Sequence, residues 1–188
     1  EKKEFGEYFT RRHYAHIFSK LLLKDEVYFN NSRKFTICDP ACGTGGFLTE
    51  SFKVLKNNYE INGTLNEEAI NFLSEECFYG IDVREENIAR AKLNMFLVGD
   101  GHTHINHLNT LTSKIEENFY SYVITNPPYG NGTIKAEISS ITTNRLEIAF
   151  LIKIINLLCD GGKACVVIPD GIFENPSYKL IRKELLEK

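Results

Sequence analysis

The residues best suited to chemistry lie in 121–129, SYVITNPPY. An apolar run, Tyr122, Val123 and Ile124, stops at Asn126-Pro127-Pro128-Tyr129. The run reads as a buried strand, and two successive prolines cannot prolong it. That puts the four residues at a strand end, where open α/β sheets present their ligands. Asn126 carries a neutral amide, with a carbonyl acceptor and an NH2 donor. Pro127 and Pro128 have no N–H, and both Asn126 and Pro127 precede a proline, which biases them to extended geometry. The product is a stiff pair of acceptors, the Asn126 side-chain oxygen and the Pro127 carbonyl, beside the aromatic face of Tyr129. Such a pair suits a planar group bearing an NH2. Hydrogen bonds to both amine protons draw the nitrogen toward tetrahedral geometry and free its delocalised lone pair for attack. Asparagine is no general base, so the activation is electrostatic. A plain strand-terminating turn is the competing reading, because Asn-Pro is a common turn signal.

The elements that must position this turn begin with Phe35–Asp39, a short buried strand running into PACGTGG and then FLTESFKVLKNN. Strand, glycine loop and helix open a nucleotide-binding α/β unit. Gly43, Gly45 and Gly46 let the backbone approach a ligand closely. The spacing is not a dinucleotide fingerprint, since Leu48 stands at the third glycine position and Pro40 and Ala41 lengthen the loop. No Gly-Lys-Ser/Thr follows, so it is not a P-loop either. A structural tight turn remains the alternative. CFYGID (77–82) reads as the second strand. Its last residue, Asp82, falls where such folds bind ribose hydroxyls, and it equally suits the N-cap of the amphipathic helix REENIARAKLNMFLVG.

Around these units the chain reads as follows. Residues 1–9 are an extended lead-in with Phe5, Tyr8 and Phe9, and Thr10 is placed to cap a helix over 13–23. Residues 66–76 form a short helix, and 104–108 a third, edge strand. Residues 130–144 are polar, with no clear period, and read as a long loop over the site. The most apolar helix, 145–159, ends at Asp160-Gly161-Gly162, and KACVVIP is a fifth strand. A last helix starts near Pro176 or Ser177.

Composition narrows the function classes. A chain of 188 residues accommodates one domain with a sizeable core. Its 43% hydrophobic and 25% charged residues are ordinary for a soluble globular protein. A net charge of -3 without a long basic run argues against gripping nucleic acid unaided. The five cysteines form no CxxC pair and read as reduced, mostly buried thiols in a cytoplasmic protein. No apolar run reaches membrane-spanning length. His102, His104 and His107 lack a second ligand cluster, so no metal is assigned.

These motifs together resemble the N6-adenine DNA methyltransferases, and most of all the methylating (M) subunit of type I restriction-modification systems. The resemblance runs in the family's motif order over nearly the whole chain. FGEYFT (5–10) resembles the motif that contacts the cofactor's methionine end, implicating Tyr8, Phe9 and Thr10. DPACGTGGFL (39–48) resembles the S-adenosyl-L-methionine loop. It implicates Asp39, Pro40, Ala41, Cys42 and Gly43, followed by Thr44, Gly45, Gly46 and Phe47. GIDV (80–83) implies Asp82 and Val83 at the ribose, and TNPPY (125–129) implies Asn126, Pro127, Pro128 and Tyr129 as the catalytic group, with Asn126 also beside the cofactor. Two positions depart from the family. Arg11 stands where proline is usual. Asn109 stands where an acidic residue commonly meets the cofactor's adenine, a contact left to Asn109 itself or to Asp100.

The resemblance implies a doubly wound, mostly parallel α/β sheet of the S-adenosylmethionine-dependent methyltransferase, Rossmann-like type. The cofactor is expected above the first and fourth of five strands. Residues 1–188 are expected to be a single catalytic domain from a longer protein, without the family's helical N-terminal domain and last strands. It further implies double-stranded DNA presenting a flipped adenine, with specificity (S) and restriction (R) subunits as partners. Two alternatives stand beside it. One is a methyltransferase acting on a protein glutamine amide or an RNA adenine. The other is a non-catalytic cofactor-binding module.

Overall fold

The computed structural model describes residues 10–26, 34–101, 104–138 and 141–187. Its centre is a five-stranded parallel sheet made of β1 (Ile37–Asp39), β2 (Phe78–Asp82), β3 (Ile105–His107), β4 (Tyr120–Thr125) and β7 (Leu158–Val166). The spatial order is β3-β2-β1-β4-β7, with β5 (Asn131–Ile138) and β6 (Ile141–Arg145) in a separate hairpin. The order reverses between β1 and β4, the switch point at which open parallel sheets bind ligands. Because strand side chains alternate, Ile37, Tyr122 and Ile124 join one core, and Cys38 and Val123 the other. The first core is covered by α1 (Arg12–Leu23), α2 (Gly46–Ile61), α3 (Glu67–Glu75) and α4 (Glu85–Val98). The second lies under α5 (Leu146–Leu157). Short α6 (Gly171–Glu174), a 3-10 turn at Pro176–Tyr178 and α7 (Lys179–Glu187) close the described chain.

Three expectations need correction. The loop expected over 130–144 is replaced, among the described residues, by the antiparallel hairpin of β5 with β6, in which Ala136 pairs with Thr143. Polar and β-branched residues suit a ribbon that needs no deep apolar face. Second, Thr10 does not cap α1, whose N-cap is Arg11 without a side-chain hydrogen bond. Third, α5 ends at Leu157, before the Asp160-Gly161-Gly162 signal, and those residues bulge from β7, where pairing jumps from Tyr120–Leu158 to Tyr122–Lys163. All five cysteines are free thiols.

Candidate active site

The glycine loop leaves β1 and is fastened at almost every step. The Cys42 N–H donates to the Ile81 carbonyl at 2.9 Å, and the Gly43 N–H to Asp82 Oδ2 at 2.9 Å. Asn94 Nδ2 on α4 donates to the Thr44 carbonyl at 2.9 Å, and Thr110 Oγ1 to the Pro40 carbonyl at 2.5 Å. Gly45 has φ +80°, which strains any other residue, and a Cβ there would lie a tight 3.3 Å from Ala91. The side chains of Cys42 and Phe47 face the core, Phe47 stacking on Phe18 with centroids 6.3 Å apart. Those two side chains therefore point away from the outer face of the loop. Space is open where a Cβ would stand on Gly43 and on Gly46.

Asp82 ends β2 but is not the N-cap expected of it: the N-cap of α4 is Arg84, without a side-chain hydrogen bond, because Asp82 stands two residues too early. Besides Gly43, it accepts from the Arg84 N–H at 2.8 Å and from Asn87 Nδ2 at 3.2 Å, bracing the start of α4. Val83 is exposed, and its carbonyl meets the ring of His107 at 2.9 Å. Asn109 follows β3 at the same edge of the sheet. Its side-chain oxygen accepts from the Leu111 N–H at 3.0 Å, which sets up the turn that delivers Thr110 to the loop. Asp100, the substitute considered for Asn109, is buried between α4 and β3 next to Cys77, at the opposite edge of the sheet. It is out of reach of the loop.

Asp39 joins the loop to the turn. Its Oδ1 accepts from Thr125 Oγ1 at 2.7 Å and from the Ala41 N–H at 3.1 Å. Its carboxyl is 1% exposed, and burial pushes its pKa up from 3.8 to about 7 against the lowering effect of those two donors, with the charge of Asp82 adding to the rise.

One residue beyond Thr125, the Asn126 amide is oriented at both ends. Its Nδ2 donates to Thr10 Oγ1 at 3.1 Å, across 116 positions of sequence, while its Oδ1 lies 2.5 Å from the Tyr129 hydroxyl. That hydroxyl is also 3.0 Å from the Val167 carbonyl beyond β7, so its one proton has two acceptors within reach. Pro127 is buried, Pro128 half-buried, and the peptide after Tyr129 is tied to the start of α5. The Gly130 N–H donates to Glu147 Oε2 at 2.9 Å, and the Gly130 carbonyl accepts from the Leu146 N–H at 2.8 Å. Sequence reasoning missed Glu147 and its partner Arg145. The available signal was a single carboxylate inside the run LEIAFLIKII.

Tyr8, Phe9 and His102 lie outside the described residues. Among the described residues, no group of three His, Cys, Asp or Glu side chains converges as a metal site, and no helix is long and apolar enough to cross a membrane.

With this geometry established, the likenesses to known proteins fall into place. The chain belongs to the N-6 DNA methylase family, whose model matches residues 1–188. It is 33% identical over 158 residues to the type I restriction enzyme EcoEI methylase subunit of Escherichia coli, covering 80% of this chain and 31% of that one. To the EcoKI methylase subunit of Escherichia coli strain K12 it is 29% identical over 198 residues, 100% of this chain and 36% of that one. A crystal structure of the EcoKI M protein superposes with a TM-score of 0.76 at 27% identity, over 95% of this chain and 38% of that one. The fold is that of the S-adenosylmethionine-dependent methyltransferases. A structure described as of that class, from Listeria monocytogenes, matches at a TM-score of 0.65 with 17% identity, over 94% of this chain and 50% of that one. The chain thus spans about a third of the length of the curated relatives it matches.

Proposed function

We propose that the chain is the catalytic core of an adenine-specific DNA methyltransferase, transferring a methyl group from S-adenosyl-L-methionine to the N6 amino group. It would serve as the modification subunit of a restriction-modification system in the cytoplasm. One observation carries this reading. The glycine loop and the Asn-Pro-Pro-Tyr turn leave adjacent strands side by side, joined by the 2.7 Å Thr125–Asp39 hydrogen bond. A methyl donor held on one is met by an amine held on the other.

The residues fit the cofactor. Asp82 already takes three donors, and a carboxylate offers about four lone-pair sites, which leaves one for a ribose hydroxyl. The open space over Gly43 and Gly46 admits a ligand against the main chain. Bound S-adenosyl-L-methionine supplies a methyl group made electrophilic by a positively charged sulfur. Asn126 Oδ1 and the Pro127 carbonyl accept hydrogen bonds from the two amine N–H groups of a flipped adenine, and the nitrogen sheds one proton to solvent after the methyl is bound. Thr10 holds the amide NH2, so the oxygen end faces the substrate. The Tyr129 ring stacks on the base, and its hydroxyl gives up Asn126 for the Val167 carbonyl as the amine arrives. The net charge of -3 fits a protein that shares its grip on double-stranded DNA with a specificity subunit, beside a restriction subunit that cuts.

The test offers the full-length protein methyl-labelled cofactor with adenine-containing duplex DNA, RNA and a glutamine peptide. Label on N6-adenine of the duplex, lost in Asn126→Ala, is the expected result. Label on RNA or the peptide would overturn the substrate, and cofactor binding without any transfer would reduce the chain to a binding module.

A further inference from the structure

We propose that Glu147 is a positioning residue for methyl transfer, fixing the exit of the Asn126–Tyr129 turn at Gly130 while Arg145 locks its other oxygen. The inference rests on the function proposed above. Pro127 and Pro128 bring no main-chain donors, so the turn cannot be fastened there as the glycine loop is. Gly130 takes over that task. Its N–H is held by Glu147 and its carbonyl by the Leu146 N–H, both in the first turn of α5. Gly130 leaves the turn at φ +109°, a conformation that other residues adopt only with strain.

The chemistry of Glu147 is otherwise hard to explain. It is 1% exposed, between Leu146, Ile148, Ala149 and Phe150, which are buried and apolar. A burial site of this kind is met at lower cost by an apolar side chain, because a buried carboxylate must be fully paired. Glu147 is fully paired. Oε2 takes Gly130, and Oε1 takes Arg145 Nε at 2.8 Å and a terminal guanidinium nitrogen at 2.6 Å. The positive end of α5 favours its charge further. The pair therefore anchors the peptide that carries Tyr129 to a rigid helix, and a shift of about 1 Å at a reacting centre costs on the order of 100-fold in rate.

The test uses the full-length protein and single-turnover transfer to adenine duplex DNA. Glu147→Ala lowers the transfer rate about 100-fold, while cofactor affinity and KM for DNA stay within about threefold. Glu147→Gln keeps an oxygen for the Gly130 N–H and recovers most of the rate. Hydrogen exchange rises across 126–131 in Glu147→Ala and stays unchanged across 36–48. A Glu147→Ala rate close to the wild type's overturns the inference, as does a loss of cofactor affinity in step with the rate. Unchanged exchange across 126–131 overturns it whatever the substrate proves to be. Faster exchange in a protein that does not methylate adenine puts the failure in the proposed function and leaves the clamp standing.

Discussion

The glycine loop is held by its main chain. Its Cys42 and Gly43 N–H groups and its Pro40 and Thr44 carbonyls are all engaged by β2, α4 and the segment after β3. The turn on the neighbouring strand is held differently. Its Asn126 amide is oriented by two side chains, Thr10 and Tyr129, and its exit is pinned by a third, Glu147. A peptide braced through its backbone presents a shape, and damage to it should lower stability and affinity. An amide aimed by side chains presents a direction, and on the proposed function damage to it should lower rate.

The sharpest way to break that distinction is Asn126→Ala. Transfer should fall about 10³-fold with cofactor affinity held within about threefold, as for a lost polar contact made to the transition state. Labelled-methyl transfer and calorimetry measure the two, and parallel losses would erase the difference between the regions. Asp39→Asn tests the joint between them. The unfolded carboxyl releases its proton near 3.8 and the folded one near 7, so between those values the folded state binds the extra proton and stability falls as pH rises. The fall amounts to about 4 kcal/mol. Denaturant titrations from pH 4 to 8 should show this slope in the wild type and its loss in the variant, which keeps an oxygen for Thr125 and Ala41. Gly45→Ala comes next. Positive φ and the close approach of Ala91 should cost about 1–2 kcal/mol and weaken cofactor binding, with kcat at saturating cofactor unchanged. Thr10→Val is the smallest. Removing the acceptor for the Asn126 NH2 should lower kcat about fivefold, the worth of one hydrogen bond. A drop in cofactor affinity without a change in kcat would move Thr10 to the loop's side of the comparison.

The same contrast governs what could be read from the chain. The strand, glycine loop and helix over 35–61 are legible because their constraints are local, in contiguous apolar runs and glycines. The strand ending at Asn126 is legible because prolines mark its limit. The role of Thr10 is not, because the group it serves lies 116 residues away and its position beside a helix start mimics a cap. Glu147 is hidden by the helix it begins, whose apolar character dominates the pattern. The hairpin over 131–145 is hidden by polarity, since β5 and β6 pair with each other and not with the central sheet. Asp82 is legible as a strand end but not as a brace, because its partners Gly43 and Asn87 lie on a distant loop and inside the next helix, and the cap position itself falls to Arg84.

The hairpin's two ends meet where the Leu146 N–H reaches the Gly130 carbonyl at 2.8 Å, so the chain departs from the turn and returns to the same point. Whatever lies between is a closed detour. Lengthening such a detour is inexpensive, each doubling adding only about 0.6 kcal/mol of closure entropy. The interval between Asn131 and Asn144, which leaves Arg145 on Glu147, is therefore a natural graft site. A longer or differently charged ribbon could be spliced there to alter what the surface beside the turn touches, with the five-stranded sheet and its register left as they are.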